Sequence, residues 1–222
     1  MGKLDAIIFD FDGTLADVPL DFDWMKTKIA ALGEVFMDER PVPNSRPALE
    51  WLEDLSSQVM KRDRAEGMEF LSRGRLVITA MELDAARDGT LFEFTRPVLA
   101  DLAKRRVAAG VITRNISPAV KTVFPDIEQY TRVFIPREVA SKLKPDPAHL
   151  YQALTVIGAD PTKSLMVGDH PMDVETGHRA GTLSAAVTSG NANADAFTDS
   201  PPNFICSNVA QLMDELASAG LI

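Results

Sequence analysis

Ala6–Leu15 reads AIIFDFDGTL, and the rest of the chain is organised around it. Ala6 to Phe9 is a short apolar run of the kind that forms a buried strand. It ends in Asp10, Phe11, Asp12, Gly13 and Thr14. Side chains two residues apart on extended backbone point to one side, so Asp10 and Asp12 can share a site. Gly13 lets the chain turn sharply, and Thr14 is expected to hydrogen-bond locally in that turn. Two adjacent carboxylates repel, and a shared proton or a divalent cation offsets the repulsion. Mg2+ takes oxygen ligands and keeps some of its water, which suits a short acidic loop. Alone, Asp12-Gly13 is also an ordinary turn dipeptide.

The chain has 222 residues, enough for one large domain or one domain with a smaller insert. Apolar residues make up 45% and charged residues 25%, an ordinary globular composition. The net charge of −9 offers no basic face, so no nucleic-acid partner is expected. It also repels anionic substrates unless the site carries local cations. The one cysteine, Cys206, excludes an intramolecular disulfide and points to a reducing, cytoplasmic compartment. Its apolar surroundings mark it as a core residue. No stretch approaches the roughly 20 apolar residues of a membrane span, and the N-terminus lacks a signal-peptide pattern, so no membrane partner is expected. Met1-Gly2 opens a myristoylation pattern that Ala6 breaks where Ser or Thr is needed.

Beyond the opening loop the apolar spacing becomes helical. Trp24, Met25, Ile29, Leu32, Val35 and Phe36 share one helix within 23–36. Pro41 to Ser45 break the chain. Asn44 or Ser45 is expected to cap a second helix, with Pro47 in its first turn and Trp51, Leu55, Val59 and Met60 along it. Residues 66–86 continue as helix through Leu71, Leu76, Val77, Met81 and Leu83, ending at Arg87-Asp88-Gly89. Residues 17–88 therefore read as a small all-helical insert between 1–16 and 89–222. Met25, Met37, Met60, Met68 and Met81 are expected as core filler. Phe22 and Trp24 are expected to bury in the helical core rather than to touch a substrate.

The remainder alternates strand and helix. Near Phe92 the core resumes, and Thr95 or Arg96 is expected to cap a helix with Pro97 in its first turn. Residues 107–113 read as a buried strand that ends at Thr113, with Arg114, Asn115 and a helix from Ser117-Pro118 behind it. A hydroxyl at a strand end before a helix N-terminus is placed to hold a phosphate oxygen. After a short strand at 132–135, Lys144 precedes Pro145, which keeps it extended and out of a helix middle. Such a lysine presents a point charge to a site, or is an exposed loop residue. A helix follows at 148–157. The strand at 164–167 runs into Gly168-Asp169-His170-Pro171-Met172-Asp173, where Asp169 and Asp173 stand about one helical turn apart and can hold a metal directly and through water. Strands at 183–187 and 203–206, a polar connection at 188–202 and a helix at 209–217 complete the chain. The class is α/β: a Rossmann-like parallel sheet, its strand ends facing one crevice, with an all-helical insert.

Those four stretches, in that order, resemble the four motifs of the haloacid dehalogenase (HAD) superfamily: DxDGT, a strand-end Thr or Ser, a Lys before Pro, and GDxxxD. The resemblance is to subfamily IA, phosphoglycolate phosphatase-like, with the insert as a C1-type cap that closes over the site and chooses the substrate. It implies Asp10 as nucleophile, Asp12 as acid/base, and Thr113 with Lys144 as catalytic and phosphate-binding residues. Arg114 and Asn115 are further candidate phosphate contacts. It implies Mg2+ held by Asp10, Asp12 through its backbone carbonyl, and Asp169, while Asp173 acts through water or orients Lys144. The implied reaction is hydrolysis of a small phosphorylated metabolite through an aspartyl-phosphate. A phosphomutase of the β-phosphoglucomutase type keeps the same motifs. A non-catalytic regulatory protein on the same fold is the reading from another class. A dehalogenase is disfavoured, because dehalogenases lack the second aspartate and need no metal. The chain departs from the pattern at Arg96-Pro97, where Pro-Gly is usual, at Arg114, which separates Thr113 from Asn115, and at His170, where Ser is common. Arg114 reads as a forked phosphate contact or as a solvated residue, and His170 as a support to the site or as a loop residue. His149 and His178 receive no role. Monomer and homodimer both remain open.

Overall fold

The computed structural model describes residues 2–190 and 193–222. Met1 of the myristoylation pattern and Asn191 and Ala192 of the polar connection lie outside the described residues. The chain divides into two compact units, Met1–Val18 with Asp88–Ile222, and Pro19–Arg87.

The first unit is built on a parallel sheet. Its strands are β1 (Ala6–Phe9), β4 (Ala108–Ile112), β5 (Val133–Ile135), β6 (Ser164–Gly168), β7 (Leu183–Val187) and β8 (Phe204–Cys206), in the order β5-β4-β1-β6-β7-β8. Every neighbouring pair runs parallel, and Ile8 stands in register between Gly110 and Met166. Parallel sheets are covered on both faces, which is why the central strands are continuously apolar. Side chains alternate across β1: Ala6 and Ile8 join Leu150, Ala153 and Leu154 of α7 (Ala148–Ile157) in one buried cluster. The remaining helices of this unit are α4 (Thr95–Arg105), α5 (Ser117–Val123), α6 (Ile127–Tyr130), α8 (Pro171–Ala180) and α9 (Val209–Ser218). Two further strands, β2 (Ala16–Asp17) and β3 (Thr90–Leu91), pair antiparallel.

Helix α4 starts differently from expectation. Its N-cap is Phe94, with no side-chain cap bond. Thr95 is wholly buried and donates its hydroxyl to the Leu15 carbonyl, while Arg96 pairs with Asp126. A buried carbonyl distant in sequence captures the hydroxyl that local pattern assigns to the cap. Strand ends shift by a residue, as they do whenever only terminal hydrogen bonds decide them. Cys206 is buried, and burial pushes its thiol up to about 12.

The second unit holds three helices, α1 (Phe22–Gly33), α2 (Ala48–Met60) and α3 (Arg64–Asp88). Asp21 caps α1 by accepting the Trp24 N–H at 2.8 Å. Neither Asn44 nor Ser45 caps α2: Pro47 is its N-cap, and Asn44 Oδ1 accepts from Arg46 N–H two residues on. Met25, Ile29, Trp51, Leu52, Val59, Phe70 and Ile78 form the core, with Phe36 stacked on Phe70 at 5.1 Å. The buried stripe of α3 is Phe70, Gly74, Ile78, Glu82 and Ala86, so the expected face is displaced and Leu76 is exposed. A Cβ on Gly74 would stand 2.4 Å from Leu52 Cδ1; the helix presents its small residues where α2 comes closest. Phe22, Trp24 and Met68 are also exposed rather than buried. Phe22 lies in the first turn of α1, and Trp24 is turned about 100° from the buried Met25. No helix among the described residues is long and apolar enough to cross a membrane.

Candidate active site

The site forms at the carboxyl ends of β1, β4 and β6 and along the loop from β5 to α7. Asp10 N–H still bonds to the Val167 carbonyl at 2.8 Å, so Asp10 leaves the sheet in strand geometry. The chain then folds back on itself, the Phe11 carbonyl accepting from the N–H groups of Thr14, Leu15 and Ala16. Gly13 takes φ +75°, open to glycine at no steric cost. Thr14 hydrogen-bonds locally in the turn through its N–H, while its buried hydroxyl has no partner among the described residues.

Lys144 joins the strand ends. Its Nζ lies 2.7 Å from Asp10 Oδ1 and 2.6 Å from Asp173 Oδ1, and its side chain is only 1% exposed. It is therefore not an exposed loop lysine. Burial works against its charge, but Asp10 and Asp173 outweigh that and hold the ammonium above its usual value. Burial pushes Asp10 up to about 6, against the pull of Lys144 and with the charge of Asp173 adding to it. The second Asp173 oxygen accepts from His170 N–H, while His170 Nδ1 accepts from Met172 N–H. The two residues make a capping box at the start of α8. His170 is thus the cap of the helix that carries Asp173.

Carboxylate oxygens of Asp10, Asp169 and Asp173 all lie within 4.8 Å of one another. Three carboxylates this close repel one another, a repulsion that a divalent cation offsets. The donors are hard carboxylate oxygens, two at strand ends and one, Asp173, in the first turn of α8, and hard oxygens suit Mg2+. The space around Asp169 is closely bounded. A Cβ on Gly13 would stand 2.3 Å from Asp169 Oδ2, and one on Gly190 1.9 Å from the same atom. The residues therefore fit a metal centre.

Thr113 and Asn115 face Asp12. Asn115 Nδ2 donates to Asp12 Oδ1 at 3.1 Å, and the Thr113 hydroxyl lies 3.4 Å from Asp12 Oδ2. Thr113 Oγ1 also accepts the Asn115 N–H at 3.0 Å. Arg114 is half-buried, and its guanidinium donates to the backbone carbonyl of Lys144. That contact takes one donor of the guanidinium fork to the backbone of the lysine loop. The structure thus places Asp10, Asp169, Asp173 and Lys144 in one cluster and Asp12, Thr113 and Asn115 in a second, with Asp10 and Asp12 two residues apart on one loop.

Sequence reading missed two neighbours. Ser189 Oγ donates to the Gly13 carbonyl at 2.7 Å, and Gly190 abuts Asp169. Their one signal is a Ser-Gly pair just beyond β7, another strand end at the same edge of the sheet. His149 is also buried, its Nε2 3.1 Å from the Ile135 carbonyl and its Nδ1 without a partner among the described residues.

A parallel α/β sheet that gathers three carboxylates and a buried lysine at its carboxyl edge defines the class, an α/β enzyme with an acidic site. The chain belongs to the haloacid dehalogenase-like hydrolase family, whose sequence model matches residues 7–187, and it is a phosphohydrolase of HAD type. It is 30% identical over 216 residues to an N-acetylmuramic acid 6-phosphate phosphatase of Pseudomonas putida, covering 90% of this chain and 93% of that one. It is 26% identical over 223 residues to a phosphoglycolate phosphatase of Pseudomonas syringae, with 96% and 80% covered. The crystal structure of a hydrolase from Pseudomonas syringae superposes with a TM-score of 0.72 at 19% identity, covering 96% of this chain and 98% of that one, a likeness of fold.

Proposed function

We propose that this chain hydrolyses a small phosphate monoester with Mg2+, through a phosphoaspartate formed on Asp10. The observation that carries the reading is Lys144 Nζ, held between Asp10 and Asp173 beside the carboxylate of Asp169. Asp10 Oδ1 is fixed by the ammonium, which orients the carboxylate for in-line attack on phosphorus. Lys144 then offsets charge gathering on the transferred group. Asp12, in contact with Asn115 and Thr113, would protonate the leaving oxygen and later take a proton from the attacking water. The carboxylates of Asp10 and Asp169 and the backbone carbonyl of Asp12 would hold Mg2+, with Asp173 acting through Lys144 or a water. The metal supplies Lewis-acid stabilisation of the phosphoryl oxygens. Two of the similar proteins are named for substrates that bear a carboxylate as well as a phosphate, which favours acidic phosphate esters. Choice among such esters is assigned to the helical unit, and the buried lone cysteine favours the cytoplasm.

The test is p-nitrophenyl phosphate hydrolysis with Mg2+ and with EDTA, followed by a panel of carboxylate-bearing phosphate esters. Turnover that needs metal and falls by at least about a thousandfold in Asp10→Asn supports the reading. Full turnover in EDTA, or an active Asp10→Asn enzyme, sinks it. Silence across the panel and in a sugar-phosphate mutase assay would leave the regulatory reading.

A further inference from the structure

We propose that Arg114 is a positioning residue for Lys144, acting through the backbone of the lysine rather than by touching substrate. The guanidinium Nη1 of Arg114 donates to the Lys144 carbonyl. Arg114 itself is held, because Arg137 Nη1 donates to the Arg114 carbonyl at 2.9 Å. The N–H of Arg137 also bonds to the Asn115 carbonyl at 3.0 Å. The loop after β4 is thereby stitched to the segment after β5, from which the chain runs on to Lys144. From the far side, Arg179 on α8 donates to the next carbonyl, that of Pro145, at 3.1 Å. Two arginines thus hold two consecutive carbonyls of the lysine loop, and between them the Lys144 side chain runs inward to Asp10 and Asp173.

The two are not equivalent. Arg179 is exposed, and its head is shared with Glu175, whereas Arg114 is half-buried. A guanidinium brings several donors in a rigid plane, so it fixes a loop carbonyl more firmly than a flexible amine does. Lys144 must meet two carboxylates at once. A shift of about 1 Å in its backbone breaks one of the two contacts, and misplacement of that size lowers rates on the order of a hundredfold. The inference rests on the proposed role of Lys144, and the test separates the two.

The experiment compares wild type, Arg114→Met, Arg114→Lys and Lys144→Met. It measures kcat and KM with p-nitrophenyl phosphate, together with acetylation of Lys144 read by mass spectrometry. Positioning predicts that Arg114→Met lowers kcat by on the order of ten- to a hundredfold while KM stays within about twofold. It also predicts that acetylation of Lys144 speeds up, with the exposed Lys163 unchanged as the internal reference. Arg114→Lys should recover part of kcat and part of the protection, since one amine donor can still reach the carbonyl. A raised KM with unchanged kcat and unchanged Lys144 labelling would overturn the proposal and make Arg114 a substrate contact. Unchanged kinetics and labelling would overturn it as well. If Lys144→Met retained full kcat, the charge-offset reading of Lys144 would fail, while faster labelling in Arg114→Met would still support the positioning.

Discussion

In the helical unit, Arg75 pairs with Glu53 at 3.1 Å, both side chains more than half exposed, and Arg46–Asp54 and Arg62–Asp38 also lie open to water. In the α/β unit, Lys144 joins Asp10 and Asp173 with almost no exposure. An exposed pair gains ~0–1 kcal/mol and asks nothing of the fold. Buried ions lose hydration worth several kcal/mol each, and an apolar set of similar shape is often more stable. Charge kept inside against that loss marks where chemistry rather than folding decides the residue. The helical unit is held by apolar packing around one buried acid, Glu82, whereas the α/β unit gathers several buried charges into one centre.

Four variants test that contrast. Phe70→Ala removes the ring stacked on Phe36 from the helical core and should cost about 3–5 kcal/mol in urea denaturation. A loss below about 1 kcal/mol would mean that something other than this core holds the unit. Gly190→Ala drives a Cβ against Asp169 Oδ2 and should weaken Mg2+ binding by about ten- to a hundredfold, read by calorimetry. Unchanged affinity would show that the close boundary around Asp169 is irrelevant to metal.

His149 offers a change in acid. Burial, with the charge of Lys144 adding to it, lowers it from 6.5 to about 4 in the folded chain. Its contribution to stability is therefore complete above pH 6.5 and is lost as the pH falls from there towards 4, because the unfolded chain takes the proton first. Within that window the slope is about 1.4 kcal/mol per pH unit, and His149→Gln should remove that much of the acid sensitivity. Matching pH profiles for the two proteins would rule this out. Arg75→Ala, on the exposed side of the contrast, should change stability by less than about 0.5 kcal/mol. A larger effect would mean that the surface pairs of the helical unit contribute after all.

What could be read in advance follows the range of the interactions. Strands β1, β6 and β7 announce themselves as apolar runs, and each turns polar where it leaves the sheet, so Asp10 and Asp169 stand out. The two-residue strands β2 and β3 carry no periodicity and were invisible. The partner of Thr113 is Asp12, 101 residues away, and that of Thr95 is the Leu15 carbonyl, 80 residues away; local pattern reports neither. Residues 71–83 showed helical spacing, but only packing decides that the stripe facing inward runs through Gly74 and Ile78 rather than Leu76. Ser189 and Gly190 lack a motif of their own, and proximity to Gly13 gives them their place.

The strand order has a consequence for the order of events during synthesis. β1 ends at Phe9, yet its sheet neighbours are Ala108–Ile112 and Ser164–Gly168. At about 5–20 residues per second, the ribosome needs on the order of 5–20 s to make the roughly one hundred residues before the first partner exists. During that time a strand that is wholly buried in the finished sheet is a naked edge, open to chaperones or to another nascent chain. The helical unit is contiguous and can complete its core within the same interval. A pause in translation between 19 and 107 would therefore lengthen the exposure of β1 without touching a single native contact.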